Sequence, residues 1–289
     1  MSIKNDLQHS IQKLFKNRES SYATQADRRQ ILNRFANDLV LAGFHLRHIN
    51  GLKPKHIVAI VTYWQEKGLA AGTIKNRMAA LRVLCAKINK TNIIPSNKQL
   101  NIGNRSYTPK RNRAIFNPDF SKINHQYVRV SLELQRVFGL RREESLKIKP
   151  HFADKENRLE LSPTWCKGGR SRIIPIRTEE QRYWLEQAKQ IAGKFGRSLI
   201  PQDKKYIQHR RMYEQQAWRA GLRNLHGLRH AYAQQRYKEL TGWDAPINGG
   251  PKSRNLTPAQ KQLDYQARMI LTEELGHSRE QITVNYLGR

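Results

Sequence analysis

The last fifteen residues of the chain, LGHSREQITVNYLGR, place the strongest local constraint on its fold. Ser278 followed by Gln281 is a capping-box pattern, which predicts that a helix begins just after His277. Tyr286 would then lie about two turns along that helix, at about 3.6 residues per turn. This segment alone leaves two interpretations of Tyr286 open: an apolar anchor for a fraying terminus, or a reactive group held near His277.

The charge of the chain favours a polyanionic partner. The 289 residues carry 53 Lys and Arg against 23 Asp and Glu, a net charge of +30. The excess is spread over the chain, with 19 basic and 5 acidic residues in positions 1–110 and 34 and 18 in positions 111–289. Such a distribution suits a protein that grips nucleic acid from two sides. A ribosomal or nucleoid-type binding protein would show the same charge.

The N-terminal third is predicted to be helical. Thr24 and Asp27 form a capping-box-like start for a helix, and apolar residues then repeat at helical spacing in three stretches. These stretches are Ile31, Phe35 and Leu39; Ile57, Ile60, Val61 and Trp64; and Ile74, Met78, Leu81, Cys85 and Ile88. We interpret them as the core of a helical bundle. Lys75 and Arg82 fall on the opposite face of the last helix, where they are either solvated or in contact with DNA.

The hydropathy and the cysteine spacing of the chain argue against a membrane protein, a disulfide-stabilised protein and a zinc protein. No apolar run approaches the roughly 18 residues of a membrane span, and the N-terminus lacks the apolar segment of a signal peptide, so a cytoplasmic protein without a membrane partner is expected. Cys85 and Cys166 are far apart and show no metal-ligand spacing, which indicates neither a disulfide framework nor a zinc site.

Arg141 and Glu144 lie in the segment GLRREESL. Arg141 continues an apolar stripe at helical spacing made by Val130, Leu134 and Val137. A guanidinium on an apolar face is costly unless an anion meets it. Glu144, one turn on, is one such anion, and a bound phosphate is another.

Two further segments carry candidate functional residues. Lys167 precedes Gly168 and Gly169, a pair that suits a tight hairpin turn between two strand-like runs. It is either a solvated lysine at a hairpin tip or a mobile cation that reaches a substrate. Farther on, the segment HGLRH places His226 and Arg229 three residues apart, on one face of a predicted helix, with His230 beside them.

Taken in order, these motifs resemble the tyrosine recombinase (phage integrase) family, and the long spacing before His277 resembles its genomic-island and mobile-element subgroup. Tyr286 falls nine positions after His277, as in that family. The resemblance implies a mainly α fold with a small β-hairpin, in which a helical, SAM-like core-binding domain precedes the catalytic domain. The bounds expected are 1–100 for the first domain, 101–116 for a polar linker and 117–289 for the catalytic domain.

The resemblance also implies a catalytic set and a chemistry. The implied catalytic residues are Arg141, Lys167, His226, Arg229, His277 and Tyr286, with Glu144 and His230 in support. In such enzymes tyrosine attacks a DNA phosphodiester and forms a 3′-phosphotyrosyl bond, so neither a metal nor another cofactor is expected. The implied partners are duplex DNA, three further copies of the chain on two DNA sites, and an accessory DNA-bending or directionality factor. A bacterial or phage-derived, nucleoid-associated protein is implied.

The segment 241–258 departs from the common family pattern, because it lengthens the spacing between Arg229 and His277. Gly249, Gly250 and Pro251 indicate a loop, and Thr257 with Pro258 predicts a helix that runs to about Glu274. We expect Lys252 and Arg254 either to contact DNA or another protomer, or to lie on an ordinary surface loop. Only three residues follow Tyr286, which leaves the mode of assembly open.

Two alternative functions remain at this point. A metal-dependent nuclease would need clustered carboxylates at ligand spacing, and the sequence offers no such pattern. A non-catalytic architectural factor in recombination would share the basic surface but would not use Tyr286. The ordered motifs favour a recombinase that cuts and rejoins DNA.

Overall fold

A computed structural model describes residues 3–17 and 20–289 of the chain. The chain divides into two compact units, Met1–Ser106 and Tyr107–Arg289, which are described separately below. The division falls within the segment predicted to be a linker, and residues that follow it already pack on the second unit: the Ile115 amide donates to the Gly227 carbonyl at 3.0 Å. Within the described ranges, no helix is both long and apolar enough to span a bilayer.

The first unit is helical. Its helices are α1 (Ile3–Leu14), α2 (Tyr22–Leu41), α3 (Pro54–Glu66) and α4 (Ala71–Lys87). The apolar stripes predicted for α3 and α4 are buried except for Ile88, which is partly buried just after α4, and Trp64 on α3 is 1% exposed. Helix α2 begins three residues earlier than predicted, because the side chain of Ser21 accepts the Thr24 amide at 3.2 Å and so caps the helix upstream.

The second unit combines helices with one hairpin. Its helices are α5 (Gln126–Phe138), α6 (Arg142–Lys147), α7 (Pro150–Ala153), α8 (Glu179–Ala192), α9 (Tyr206–Arg219), α10 (Gly227–Thr241), α11 (Pro258–Glu274) and α12 (Val284–Leu287). Strands β1 (Arg158–Leu161) and β2 (Arg172–Pro175) pair antiparallel, with Leu159 opposite Ile174. The predicted fold class, mainly α with a small β-hairpin, is confirmed.

Helix α10 lies within the core of the second unit. Leu228, Ala233 and Tyr237 on this helix are fully buried, and α5 and α11 pack against it. The start of α11 agrees with the prediction from the sequence, because the Thr257 hydroxyl accepts the Gln260 amide and Pro258 occupies the first turn. This packing brings residues that are distant in sequence to one end of α10.

Helix α5 ends earlier than predicted, so Arg141 does not continue its apolar stripe. Gly139 terminates the helix in the left-handed conformation, at φ 61°. A Cβ at this position would lie 2.5 Å from the ring of Tyr232. Glycine is therefore required for two reasons: the positive φ and the lack of space for a side chain. Arg141 instead occupies the N-cap position of α6.

The C-terminal segment also differs from its prediction. A 3₁₀ turn, Glu280–Thr283, follows His277 and leads into the four-residue helix α12, which carries Tyr286. The N-cap of the 3₁₀ turn is Arg279 and not Ser278, and no side chain caps it. The β-branched run Ile282–Thr283–Val284 disfavours a regular helix here, and burial of Tyr286 and Leu287 then decides the path of the chain.

Candidate active site

Tyr286 lies between a buried arginine and a histidine. Its ring is 5% exposed, and its hydroxyl lies 3.3 Å from Nε of Arg229 and 3.2 Å from Nε2 of His277. The ring of His230 packs on the tyrosine at a centroid distance of 4.7 Å, and that of His226 lies 6.0 Å away. Four residues of the predicted catalytic set therefore lie together at the N-terminal end of α10, with the supporting His230 beside them: His226, Arg229, His277 and Tyr286.

Arg229 is enclosed by main-chain carbonyls. Its guanidinium donates to Gly139 O at 2.6 Å and to Leu275 O, and the residue is 1% exposed. Burial lowers the pKa of Arg229 to about 10, so the group stays protonated at neutral pH. The left-handed turn at Gly139 thus has a second effect, because it presents a carbonyl oxygen to this arginine.

Arg141 and Glu144 form the ion pair considered from the sequence. Nη1 of Arg141 lies 2.7 Å from Glu144 Oε1, and the Arg141 amide donates to Oε2 at 2.6 Å, so Glu144 holds both the side chain and the main chain. Nη2 of Arg141 donates to Leu275 O at 3.1 Å, the same oxygen that accepts from Arg229. The Arg141 side chain is 21% exposed and can meet a ligand.

Arg172 also belongs to the ion cluster around Glu144, and it was not predicted from the sequence. It pairs with Glu144 through two hydrogen bonds of 2.6 Å and is almost fully buried. Burial works to raise the pKa of Glu144, but Arg172, with Arg229 and Arg141 nearby, outweighs burial and lowers that pKa to about 2. A usable signal existed, because Arg172 shares the buried face of β2 with Ile174 at strand spacing.

Gly276 links this ion cluster to His277. Its φ is +61°, and a Cβ there would lie 3.0 Å from Cδ of Arg172. This glycine, which directly precedes His277, therefore allows close packing against Arg172 while Leu275 O turns toward the two other arginines. His277 follows directly, with its ring aimed at Tyr286.

The site histidines are neutral at physiological pH. Desolvation, reinforced by nearby arginine cations, lowers the pKa of His226 to about 4 and that of His277 to about 3. Desolvation likewise lowers the pKa of His230 to about 4, with His226 and Arg113 adding to the effect. A neutral imidazole at 3.2 Å from a phenol can accept its proton or donate to it, according to the tautomer.

Lys167 lies on the loop between β1 and β2. The loop is longer than the predicted tight turn, since ten residues separate the strands, yet Gly168 and Gly169 both have positive φ, at 77° and 67°. The Lys167 side chain is exposed and lines a cleft of 590 Å³ together with Arg141 and His226. Lys167 thus shares a cleft with His226, one of the residues clustered around Tyr286.

The candidate DNA contacts lie outside this cluster. Lys252 is exposed at the N-cap of a 3₁₀ turn, Ser253–Asn255, in the second unit, and Arg254 is exposed within that turn. Lys75 and Arg82 are partly exposed on α4 of the first unit, and Nη2 of Arg82 donates to Asn97 Oδ1 at 2.8 Å. Their contact with DNA stays a prediction.

Two family models match the chain. One, described as the N-terminal domain of phage integrase, matches residues 4–94, and one described as integrase matches residues 108–235. A search of curated proteins gave no match. The chain belongs to the phage integrase family and is a tyrosine-type site-specific recombinase.

Solved structures with the same fold include proteins in complex with DNA. The integrase of transposon Tn1549 with circular intermediate DNA is 14% identical, with a TM-score of 0.51 over 100% of this chain and 96% of that one. The XerH site-specific recombinase bound to its difH substrate, in a pre-cleavage complex, is 16% identical. Its TM-score is 0.54, over 96% of this chain and 80% of that one.

Proposed function

We propose that Tyr286 is the nucleophile with which this recombinase cuts duplex DNA, and that Arg141, Lys167, His226, Arg229 and His277 form the catalytic set around it. The observation that carries the proposal is the pair of contacts at the tyrosine hydroxyl, 3.3 Å to Arg229 and 3.2 Å to His277. The arginine beside the hydroxyl can hydrogen-bond the attacking oxygen, and a neutral imidazole at that distance can take the proton.

In the proposed reaction, the Tyr286 oxygen attacks the phosphorus and the bond from phosphorus to the 5′ oxygen breaks. The phenolic proton passes to His277, and Lys167 donates a proton to the departing 5′ oxygen. A 3′-phosphotyrosyl bond retains the energy of the broken linkage. Attack by a 5′ hydroxyl from another duplex then releases Tyr286 and completes strand transfer.

Arg141 and Arg229 are proposed to bind the non-bridging oxygens of the scissile phosphate. Their fixed forks suit an oxyanion that gains charge in the transition state. Glu144 has a supporting role, because it orients Arg141 and is itself held by Arg172. His226 lines the cleft beside Arg141 and is proposed to donate to the phosphate or to transfer a proton. His230 supports the ring of Tyr286.

Duplex DNA is the proposed substrate, and the net charge of +30 supports it. The Tn1549 integrase and XerH structures, which share the fold, contain DNA. A tetramer on two DNA sites, an accessory DNA-bending or directionality factor and a cytoplasmic, nucleoid-associated location complete the proposal. Lys75, Arg82, Lys252 and Arg254 are its proposed DNA contacts.

The first prediction tests the nucleophile. On a nicked suicide duplex without added metal, the wild-type protein should accumulate a covalent protein–DNA adduct, and Tyr286→Phe should form none. DNA affinity should stay within a few fold, because only the hydroxyl is lost. Tyr265→Phe, at an exposed tyrosine of α11, is the matched control and should react normally. Adduct formation by Tyr286→Phe would refute the assignment, and an architectural factor or a metal-dependent nuclease would form no adduct at all.

A further inference from the structure

The segment 241–258, called the insertion below, contains a packed turn at residues 243–250. Ala245 is 1% exposed, and Trp243 donates through Nε1 to the hydroxyl of Tyr237 at 3.2 Å. The Gly250 amide closes the turn by donating to Ala245 O at 3.1 Å. A Cβ at Gly250 would lie 1.6 Å from the Asp244 carbonyl oxygen, so only glycine fits there. The backbone of the turn therefore leaves no room for a side chain at Gly250, and Trp243 anchors the turn to α10.

This turn contacts the segment that carries Tyr286. A Cβ at Gly288 would lie 3.0 Å from the backbone nitrogen of Ile247, which shows how closely the two backbones approach. Ile247 packs against the same apolar cluster that contains Tyr286 and Leu287. Helix α12 has only four residues, and so short a helix is not stable by its own hydrogen bonds. Its position depends on neighbours of this kind.

Hydrogen bonds also hold the same helix. Gln234, 3% exposed on α10, donates through Nε2 to the main-chain carbonyl of Tyr286 at 2.9 Å. Its amide is fixed by Asn112, with which it exchanges hydrogen bonds of 2.8 and 3.0 Å. Asn112 in turn donates to Oδ1 of Asn248 in the packed turn at 3.2 Å. A polar chain thus joins the insertion, the start of the second unit and the tyrosine.

Helix α10 consequently contacts Tyr286 at two points. Arg229 meets its hydroxyl and Gln234 meets its carbonyl, from one rigid element. We infer that Gln234 is a positioning residue for Tyr286, and that Asn112 and the turn 243–250 hold it in place, so that the insertion fixes the nucleophile within its own chain. This inference rests on the proposed role of Tyr286.

The test compares variants of Gln234 in the full-length protein. Gln234→Ala and Gln234→Met should slow adduct formation about 10-fold or more, because small displacements of a reacting atom are costly, while DNA affinity stays within twofold. Methionine keeps the length and loses the donor, so recovery with Met would mean that Gln234 only fills space and would overturn the inference. Gln235→Ala, at the exposed neighbour on α10, is the matched control and should react at the wild-type rate.

A second measurement does not depend on the chemistry. Amide hydrogen exchange in residues 284–288 should accelerate in Gln234→Ala but not in Gln235→Ala, with protection elsewhere in the second unit unchanged. If the Gln234 variants do not fold, Asn112→Ala, at an exposed residue, provides the same test. It should slow adduct formation and accelerate amide exchange in residues 284–288, each by a smaller factor than Gln234→Ala. Wild-type rate and exchange in Asn112→Ala and in any folded Gln234 variant would overturn the inference. Adduct formation by Tyr286→Phe would instead overturn the proposed function.

Discussion

Arg141 and Arg229 have one proposed role but different surroundings. Arg229 is 1% exposed and its donors meet two carbonyls and the tyrosine hydroxyl, whereas the Arg141 side chain is 21% exposed and is braced by Glu144. A lysine has one ammonium group and cannot reproduce either planar fork. The two positions should therefore respond alike in catalysis and differently in stability.

We expect Arg141→Lys and Arg229→Lys each to slow cleavage by about 10²-fold or more. Arg229→Lys should also lower the free energy of unfolding by about 2–4 kcal/mol, because buried carbonyls lose their partners, and Arg141→Lys should lower it by less than about 1 kcal/mol. Adduct rates and urea unfolding measure the two effects. The exposed Arg279→Lys is the control. Near-wild-type cleavage in both site variants would mean that the arginines act only as general positive charge.

At the scale of elements, the insertion has two parts with different properties. Residues 243–250 pack on α10 and α12, while Lys252 and Arg254 project from an exposed 3₁₀ turn that precedes α11. Removal of these two cations should leave the packed part undisturbed. The element can therefore be tested for DNA or protomer contact without a change to the position of the tyrosine.

The double variant Lys252→Ala with Arg254→Ala should reduce DNA binding or full recombination by about 10-fold, while adduct formation on a short pre-nicked site stays within twofold of wild type. The exposed pair Lys155→Ala with Lys194→Ala removes the same charge elsewhere. Equal losses in adduct and recombination would point to local misfolding. Unchanged values in both assays would make the insertion's outer part an ordinary surface loop.

The sequence was sufficient where a local rule decides the structure. Thr257 and Pro258 predicted the start of α11, and the ordered motifs predicted Arg229, His277 and Tyr286 as neighbours. The end of α5 was predicted wrongly because apolar spacing was extended past Gly139, although glycine is a common helix terminator. There the local signal was present and was given too little weight.

Other features were not accessible from local patterns. Gln234 and Asn112 are 122 residues apart, and their pairing arises only when the chain packs. The helix predicted from Ser278 is replaced by a 3₁₀ turn, because burial of Tyr286 outweighs a capping pattern in a β-branched segment. Tertiary contacts decide such cases, and they concentrate around the site.

For the molecule as a whole, several neutral histidines link stability to pH. Burial lowers the pKa of His209, a fully buried residue outside the site, to about 4, and His230 and His277 are lowered similarly. Because these pKa values lie below the unfolded value of about 6.5, the unfolded chain binds protons first as the pH falls. Their contribution to stability is complete above about pH 6.5 and is lost toward pH 4. Glu144, with its pKa lowered to about 2, loses its contribution only below about pH 4.5.

We expect the free energy of unfolding to fall by about 1–2 kcal/mol per buried histidine between pH 7 and pH 5. His209→Gln should reduce this fall in the free energy of unfolding by about 1–2 kcal/mol, the contribution of one histidine. It should leave cleavage at pH 7 unchanged, since the residue lies outside the site. Urea unfolding at several pH values is the measurement. A slope in His209→Gln as steep as that of wild type would contradict the assignment.

The carbonyl oxygen of Leu275 accepts hydrogen bonds from both Arg141 and Arg229. This one oxygen thus holds both guanidinium groups that are proposed to bind the phosphate, and the same peptide unit begins the segment that leads to His277 and Tyr286. The proposed phosphate site and the nucleophile therefore share one piece of backbone. By reciprocity, a substitution that shifts the Gly276 turn alters how tightly the phosphate is held, even where it touches no DNA.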